Sequence, residues 1–262
     1  MSFPNCRIFG AALASWVALF QAVPSYADTI TIRPTADTTL IQVAPDANLG
    51  GADFFNAGTA GNGNRNRALL QFSLTEDIPA GASILNAYLS LDVIRQPAMD
   101  LQPATFQLRR VLTSWGEGDK IPAEEGSPGL GAPGTDGDAT WLSRFVGGNS
   151  WSTPGGAAGV DFSATVSSTT FVYGIGEPVQ FESTPELTAD VQLWLDNPGA
   201  NFGWMLLPED ERIRKSARSF ASGEDANGGP MLVIEFTSVP EPATCALIGA
   251  GLLALVCLRR RT

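Results

Sequence analysis

Through the middle of the chain apolar and polar side chains take turns. Leu85, Ala87, Leu89, Leu91 and Val93 fall on one parity, and Asn86, Tyr88, Ser90 and Asp92 on the other. That is the period-2 pattern of a strand with one face in a core and one in water. Leu70, Phe72 and Leu74 share a parity, as do Phe106 and Leu108, and Phe202, Trp204 and Leu206. Met231 to Phe236 is apolar except for Glu235. Shorter runs at 29–33, 38–43, 160–166, 170–173, 178–182 and 216–220 lie between Gly, Pro, Asn and Asp clusters. Roughly nine to eleven short strands separated by turn signals predict an all-β sandwich or barrel.

One segment carries the helical period instead. Thr184 is placed to cap, Pro185 suits the first helical position, and Leu187, Val191, Trp194 and Leu195 recur at i, i+4, i+7 and i+8 before Asn197-Pro198-Gly199 ends the run. Between 116 and 159 both periods vanish, and 12 of the 44 residues are Gly and 4 are Pro. A loop of that length is usually functional or mobile. It also holds Trp141, Phe145 and Trp151, so the binding surface is expected there.

The two ends follow other rules. Arg7, an apolar run from Ile8 to Val23, and small residues Ser25 and Ala27 describe a signal peptide over 1–27 cut after Ala27; an uncleaved anchor is the alternative. At the other end Pro240-Glu241-Pro242 precedes an uncharged stretch, Ala243 to Leu258, and then Arg259-Arg260-Arg261. At sixteen residues the stretch is marginal for a membrane helix, where about 20 are usual, and the arginines would hold its far end in the cytoplasm. All three cysteines, Cys6, Cys245 and Cys257, lie in these ends. The domain between them, 28–238, is expected to fold without disulfides.

That domain carries 12 basic and 26 acidic side chains, a formal charge of −14. Nucleic acid is excluded as a partner, because nothing supplies an extended basic face. The chain has no histidine, which removes Ser-His-Asp and Cys-His catalysis and every His-ligated zinc site. A carboxylate pair could still hydrolyse a glycoside. Glu117, Glu177, Glu182 and Glu224 are available, but no spacing sets two of them across a cleft.

The order Pro-Glu-Pro, apolar helix, Arg cluster resembles the PEP-CTERM sorting signal of Gram-negative bacteria. The resemblance implies an exosortase as partner, cleavage near Pro240 to Pro242 after transient anchoring in the inner membrane, and delivery to the cell surface or an exopolysaccharide matrix. A plain tail anchor is the alternative. Within the domain, the succession Ala36-Asp37-Thr38-Thr39-Leu40, Arg67 to Leu74, Ile78 to Leu89, Thr113-Ser114-Trp115-Gly116-Glu117-Gly118, Ala139-Thr140-Trp141, Asp190 to Trp194, Asn201-Phe202-Gly203-Trp204 and Pro230 to Ile234 resembles the DNRLRE, or disaggregatase-related, domain family. It covers roughly 36–237. What it implies is a jelly-roll-like antiparallel β-sandwich on a secreted protein, in a family whose members include modules for acidic polysaccharides.

Sugar recognition pairs aromatic faces with pyranose rings and polar groups with hydroxyls. Trp141 and Trp151, with Arg144 and Phe145, are the expected platform; packing in the core is the alternative. An anionic domain binding an acidic glycan also needs local cations. Arg65 and Arg67, and Arg212, Arg214 and Arg218, which would share one face of a strand, can supply them. Calcium is the one candidate cofactor, since it takes oxygen ligands, and Glu117, Asp119, Asp136 and Asp138 lie in the Gly-rich segment. The expectation is a non-catalytic, exported polysaccharide-binding protein. A structural or adhesive matrix protein and a carboxylate-dependent hydrolase or lyase are the alternatives.

Overall fold

Ser83–Leu91 forms the strand that its alternation requires, with Ile84, Ala87, Leu89 and Leu91 buried. Leu85, expected among them, is 43% exposed. The register explains it: Glu235 pairs with Asn86 but Phe236 with Ile84. The bulge skips Leu85 and switches the parity of the strand beyond it.

The computed structural model describes residues 27–122, 129–177 and 179–238. In chain order the strands are β1 (Ala27–Ile32), β2 (Ala36–Ile41), β3 (Ala47–Asn48), β4 (Phe54–Thr59), β5 (Arg65–Gln71), β6 (Ser83–Leu91), β7 (Val93–Arg95), β8 (Ala104–Arg110), β9 (Ala132–Pro133), β10 (Ser168–Val172), β11 (Val179–Phe181), β12 (Trp204–Pro208), β13 (Arg218–Ala221) and β14 (Met231–Thr237). The helix α1 (Pro185–Asp196) lies between β11 and β12. One sheet has the order β1-β14-β6-β11; the larger runs β10-β8-β12-β5-β4-β13-β7, with β2 also paired to β5; β3 and β9 make a small ribbon. Every named strand pair is antiparallel.

The two larger sheets share one core. Ile32, Leu89, Leu232 and Ile234 from the smaller meet Phe55, Leu70, Phe106, Leu206 and Phe220 from the larger. The helix closes this core as its spacing predicts, burying Leu187, Val191, Trp194 and Leu195. Thr184 Oγ1 accepts the Leu187 amide at 2.9 Å, and the rings of Trp194 and Trp204 stand 4.4 Å apart. Asp190 fixes the helix to the sheet: it accepts Arg110 Nε at 2.7 Å, Trp204 Nε1 at 2.9 Å and Ser167 Oγ at 2.6 Å.

The larger sheet is apolar on its other face as well. Leu40, Leu69, Met205 and Leu207, of opposite parity to the first core, pack with Val111, Trp115, Ala139, Trp141, Trp151 and Phe162. The Gly-rich segment is therefore a third layer laid over the sheet. β5 and β12 lie between these two cores, and β4 lies between the first core, through Phe55 and Ala57, and a smaller cluster of Ile41, Leu49, Ala52 and Phe54. β4 is buried at every position and reads as a run without alternation, as in any strand buried on both faces. That is why Phe54–Thr59 gives no strand signal.

Glycine in this layer permits close approach. A Cβ on Gly116 would lie 1.8 Å from the Gly137 carbonyl oxygen, and one on Gly155, where φ is +84°, 2.6 Å from the Trp141 ring. The strand expected at 160–166 does not form; Phe162 makes only isolated bridges, to Val111 and Ala158. Asp161 accepts the amides of Ser152 and Ala157 and curls the chain locally.

Trp141 and Trp151 are 4% and 5% exposed, and Trp151 Nε1 donates to the Thr140 carbonyl at 2.9 Å. Both are packing residues of the third layer. Trp151→Ala should destabilise the protein by about 3–5 kcal/mol, as for other aromatic truncations in cores, read as a lowered urea midpoint. A loss below about 1 kcal/mol, the range of a surface substitution, would mean that the layer is not a packed core.

Candidate functional site

Arg67 is the residue on which the third layer closes. It lies on β5, only 8% exposed. Its Nε and Nη2 form a fork on Glu211, at 2.8 Å to Oε1 and 2.7 Å to Oε2. Nη1 donates to the carbonyls of Gly155 at 2.8 Å and Gly156 at 2.9 Å. The guanidinium also stands 5.5 Å from the Trp141 ring centre and 5.7 Å from that of Phe162, within cation–π range. Arg65, two residues back, lies 3.4 Å from the same Glu211 carboxylate, bonds Gln42 Oε1 at 3.2 Å and reaches the Trp141 ring at 5.6 Å. Two guanidinium groups thus share one carboxylate.

The segment after β12 adds two more. Exposed Arg212 forks onto Asp210 at 2.8 and 2.9 Å, and those bonds hold the Asp210 carboxyl down to about 2. Arg214 is exposed. A Cβ on Gly63, where φ is +88°, would lie 3.4 Å from its Nε and Nη2, so the guanidinium rests against that glycine. Among the described residues it has neither an acidic partner nor an acceptor. Arg65, Glu211, Arg212 and Arg214 line, with Gln42, Thr59 and Gly63, a recess of about 390 Å³. Around it four arginines, counting Arg67, meet two carboxylates. This local cationic excess sits on a domain of opposite net charge.

Arg212, Arg214 and Arg218 do not share a strand face. Lys215 has φ +62°, which an extended run cannot contain, and its ammonium pairs with Asp100 at 2.7 Å. The chain turns there, and Arg218 points inward. It is 1% exposed and donates to the carbonyls of Tyr173, Gln102, Ser216 and Ala217 at 2.6, 3.1, 2.8 and 3.1 Å. Burial lowers its pKa to about 10, so it remains charged at neutral pH. Arg144, expected beside the tryptophans, donates to the carbonyls of Ser114 at 2.9 Å and Ser150 at 3.3 Å. Half-buried Phe145 lies against Gly116.

The four carboxylates expected to hold calcium are not gathered. Glu117 Oε1 accepts the Asp37 amide at 2.8 Å. Asp119 pairs with Lys120. Asp138 accepts the Thr135 amide at 2.8 Å and lies 3.5 Å from Lys120 Nζ, while Asp136 lies against Gly147. Among the described residues no group of three or more His, Cys, Asp or Glu is placed to hold a metal ion. Glu117, Asp119 and Asp138 instead hold a backbone amide or balance Lys120. What the sequence does not disclose is Glu211 as the shared partner of Arg65 and Arg67, since the partners are 144 or more residues apart.

Residues 238–261 match the PEP-CTERM protein-sorting motif. The motif implies processing by an exosortase during export and a bacterial cell-surface protein. Pro240, Glu241, Pro242, Arg259, Arg260 and Arg261, the apolar stretch between them and the segment before Ala27 lie outside the described residues. Among the described residues no helix is long and apolar enough to cross a membrane. No curated protein matches the chain.

A separate acidic cluster lies outside the recess. Asp37, 2% exposed, accepts the Gly223 amide at 2.7 Å. Burial first, then the charges of Glu224 and Glu117, raise its pKa well above the ordinary value against the opposing pull of that amide. Burial chiefly raises Glu117 from 4.5 to about 6, with Glu224 adding to it and the Asp37 amide opposing. A carboxyl whose pKa is higher folded than unfolded binds its proton more tightly when folded, so stability rises as pH falls through that window. Glu117→Gln, which keeps the acceptor, should therefore raise stability at pH 7 and flatten its slope between about 6 and 4.5, as read by denaturation at several pH values. An unchanged slope would show that Glu117 is not the group titrating there.

Proposed function

We propose that the exported domain is a non-catalytic polysaccharide-binding module, related in fold to the jelly-roll sandwiches of the DNRLRE family, that acts in the extracellular matrix of a Gram-negative bacterium after transient anchoring in the inner membrane. One observation carries the ligand class: the recess where Arg65 and Arg212 stand beside an Arg214 without acceptor among the described residues. Planar guanidinium groups pair in two places with carboxylates, and the rim of a recess lets a polymer pass through. The carboxylates of an acidic glycan supply the missing acceptors. A domain carrying an excess of negative charge repels such a polymer at long range. Salt screens that repulsion beyond about 8–10 Å, whereas contacts inside the recess are shorter. The non-catalytic reading rests on Asp37 and Glu117, the two carboxyls with raised proton affinity, because both accept backbone amides that join neighbouring segments.

Affinity electrophoresis of the exported protein through gels containing polygalacturonate tests this directly. Retardation is expected, and Arg214→Ala should weaken it about tenfold, the order of one charge-assisted bond, with the urea midpoint unchanged because the side chain is exposed. Absence of retardation by any polyuronate would remove the proposal and leave the structural or adhesive reading. Release of reducing ends or unsaturated products would replace it with a hydrolase or lyase.

A further inference from the structure

Two aromatic side chains stand apart from all others described: Phe171 and Tyr173 are 64% and 60% exposed, while the rest are buried or half-buried. Phe171 lies in β10 and Tyr173 one residue past its end; with Val172 between them buried, both project from one face, about 6.8 Å apart for extended chain. Exposed Thr169 shares that face. So does Thr105, the register partner of Phe171 on β8. β10 is an edge strand of the larger sheet, and its opposite face is buried through Ser168 and Val172.

The backbone beneath the two rings is held rigidly. Arg218 donates twice to the Tyr173 carbonyl, at 2.6 and 3.2 Å. Gln96 Oε1 accepts the Ile175 amide at 2.8 Å and fills the place that a Cβ on Gly174 would need. A buried cation is thereby spent on fixing the position of an exposed tyrosine. Such a platform loses little freedom when a ligand settles on it.

The chemistry of the strip selects the ligand. Residues 162–176 contain no Asp, Glu, Lys or Arg, although the domain bears 12 basic and 26 acidic groups. The nearby Lys215–Asp100 pair is closed on itself. Aromatic faces interleaved with threonine hydroxyls suit the C–H faces and hydroxyls of neutral pyranose rings; exposed Glu209, whose amide donates to the Thr105 carbonyl at 2.8 Å, borders the strip and would repel a polyuronate there. We propose that β10 is a stacking platform for an uncharged glycan, a subsite separate from the arginine recess. It rests on the reading that the domain binds glycans, but requires no carboxylate on the ligand.

The experiment runs affinity electrophoresis of the exported protein in gels containing galactomannan, xyloglucan or hydroxyethylcellulose, with polygalacturonate in parallel. At least one neutral polymer should retard the protein. The double variant Phe171→Ala/Tyr173→Ala should lose tenfold or more of that affinity and keep both its polyuronate retardation and its urea midpoint, whereas Arg214→Ala should keep the neutral-polymer affinity and the urea midpoint and lose polyuronate retardation. Were the double variant to misfold, Phe171→Trp supplies a reporter whose emission should shift to the blue with the retarding polymer; an unmoved spectrum overturns the proposal. So does lack of retardation by all three neutral polymers, an undiminished affinity in the double variant, or a concentration-dependent dimer that the double variant abolishes. Polyuronate retardation alone would leave the arginine recess standing, and failure with every polymer would remove the glycan reading as well.

Discussion

A guanidinium enclosed between two layers of the protein cannot be left half satisfied. Removing it from water costs several kcal/mol, returned only when nearly every donor finds an acceptor. Arg67 meets that demand from four directions: the carboxylate of Glu211, the carbonyls of Gly155 and Gly156, and the rings of Trp141 and Phe162. These partners come from stretches of chain far apart in sequence. The covering layer, the sheet and the segment after β12 must all reach their final places before the charge is accommodated. The recess at its edge is a by-product of that closure, because Glu211 is turned inward by Arg67 and leaves the other arginines facing solvent.

The same closure explains which parts of the fold could be read from residues. Where a strand has one wet face, as in β6, alternation identified it, and β14 was marked by its continuous apolar stretch. Where α1 lies on the core, the 3.6 period, the Thr184 cap and Pro185 located it to the residue. Phe54–Thr59, buried at every position, carries no alternation and was silent. A bulge at Leu85 defeated parity without any mark in the sequence. The Gly-rich stretch was legible as irregular but not as a layer. Its glycines mark backbone pressed against backbone and indole, and the tryptophans expected to face a ligand serve as its interior.

The candidate site was legible in its ingredients and not in its assembly. Arg65, Arg212 and Arg214 were identifiable as the available cations, but their grouping depends on Glu211 and on the left-handed turn at Lys215, neither of which has a local signature. That turn also diverts Arg218 from the surface into a nest of carbonyls. The acidic residues likewise had a plausible common purpose on paper. In the fold most of them anchor turns or pair with neighbours, and the two whose proton affinity is raised, Asp37 and Glu117, lie near Glu224 at a junction of β2 with two loops.

The register of the smaller sheet has a mechanical corollary. Asp28 pairs with Phe236, and β14 is flanked along its length by β1 and β6. The strand that leads into the sorting motif is thus an interior one, clamped on both edges. Tension applied to the tail acts along its axis and loads the ladders on both sides in shear, so they must yield together instead of unzipping one bond at a time. Drag on a cell-surface domain is borne in this way by a strand clamped on both edges, which is neither a lining of the recess nor part of the platform.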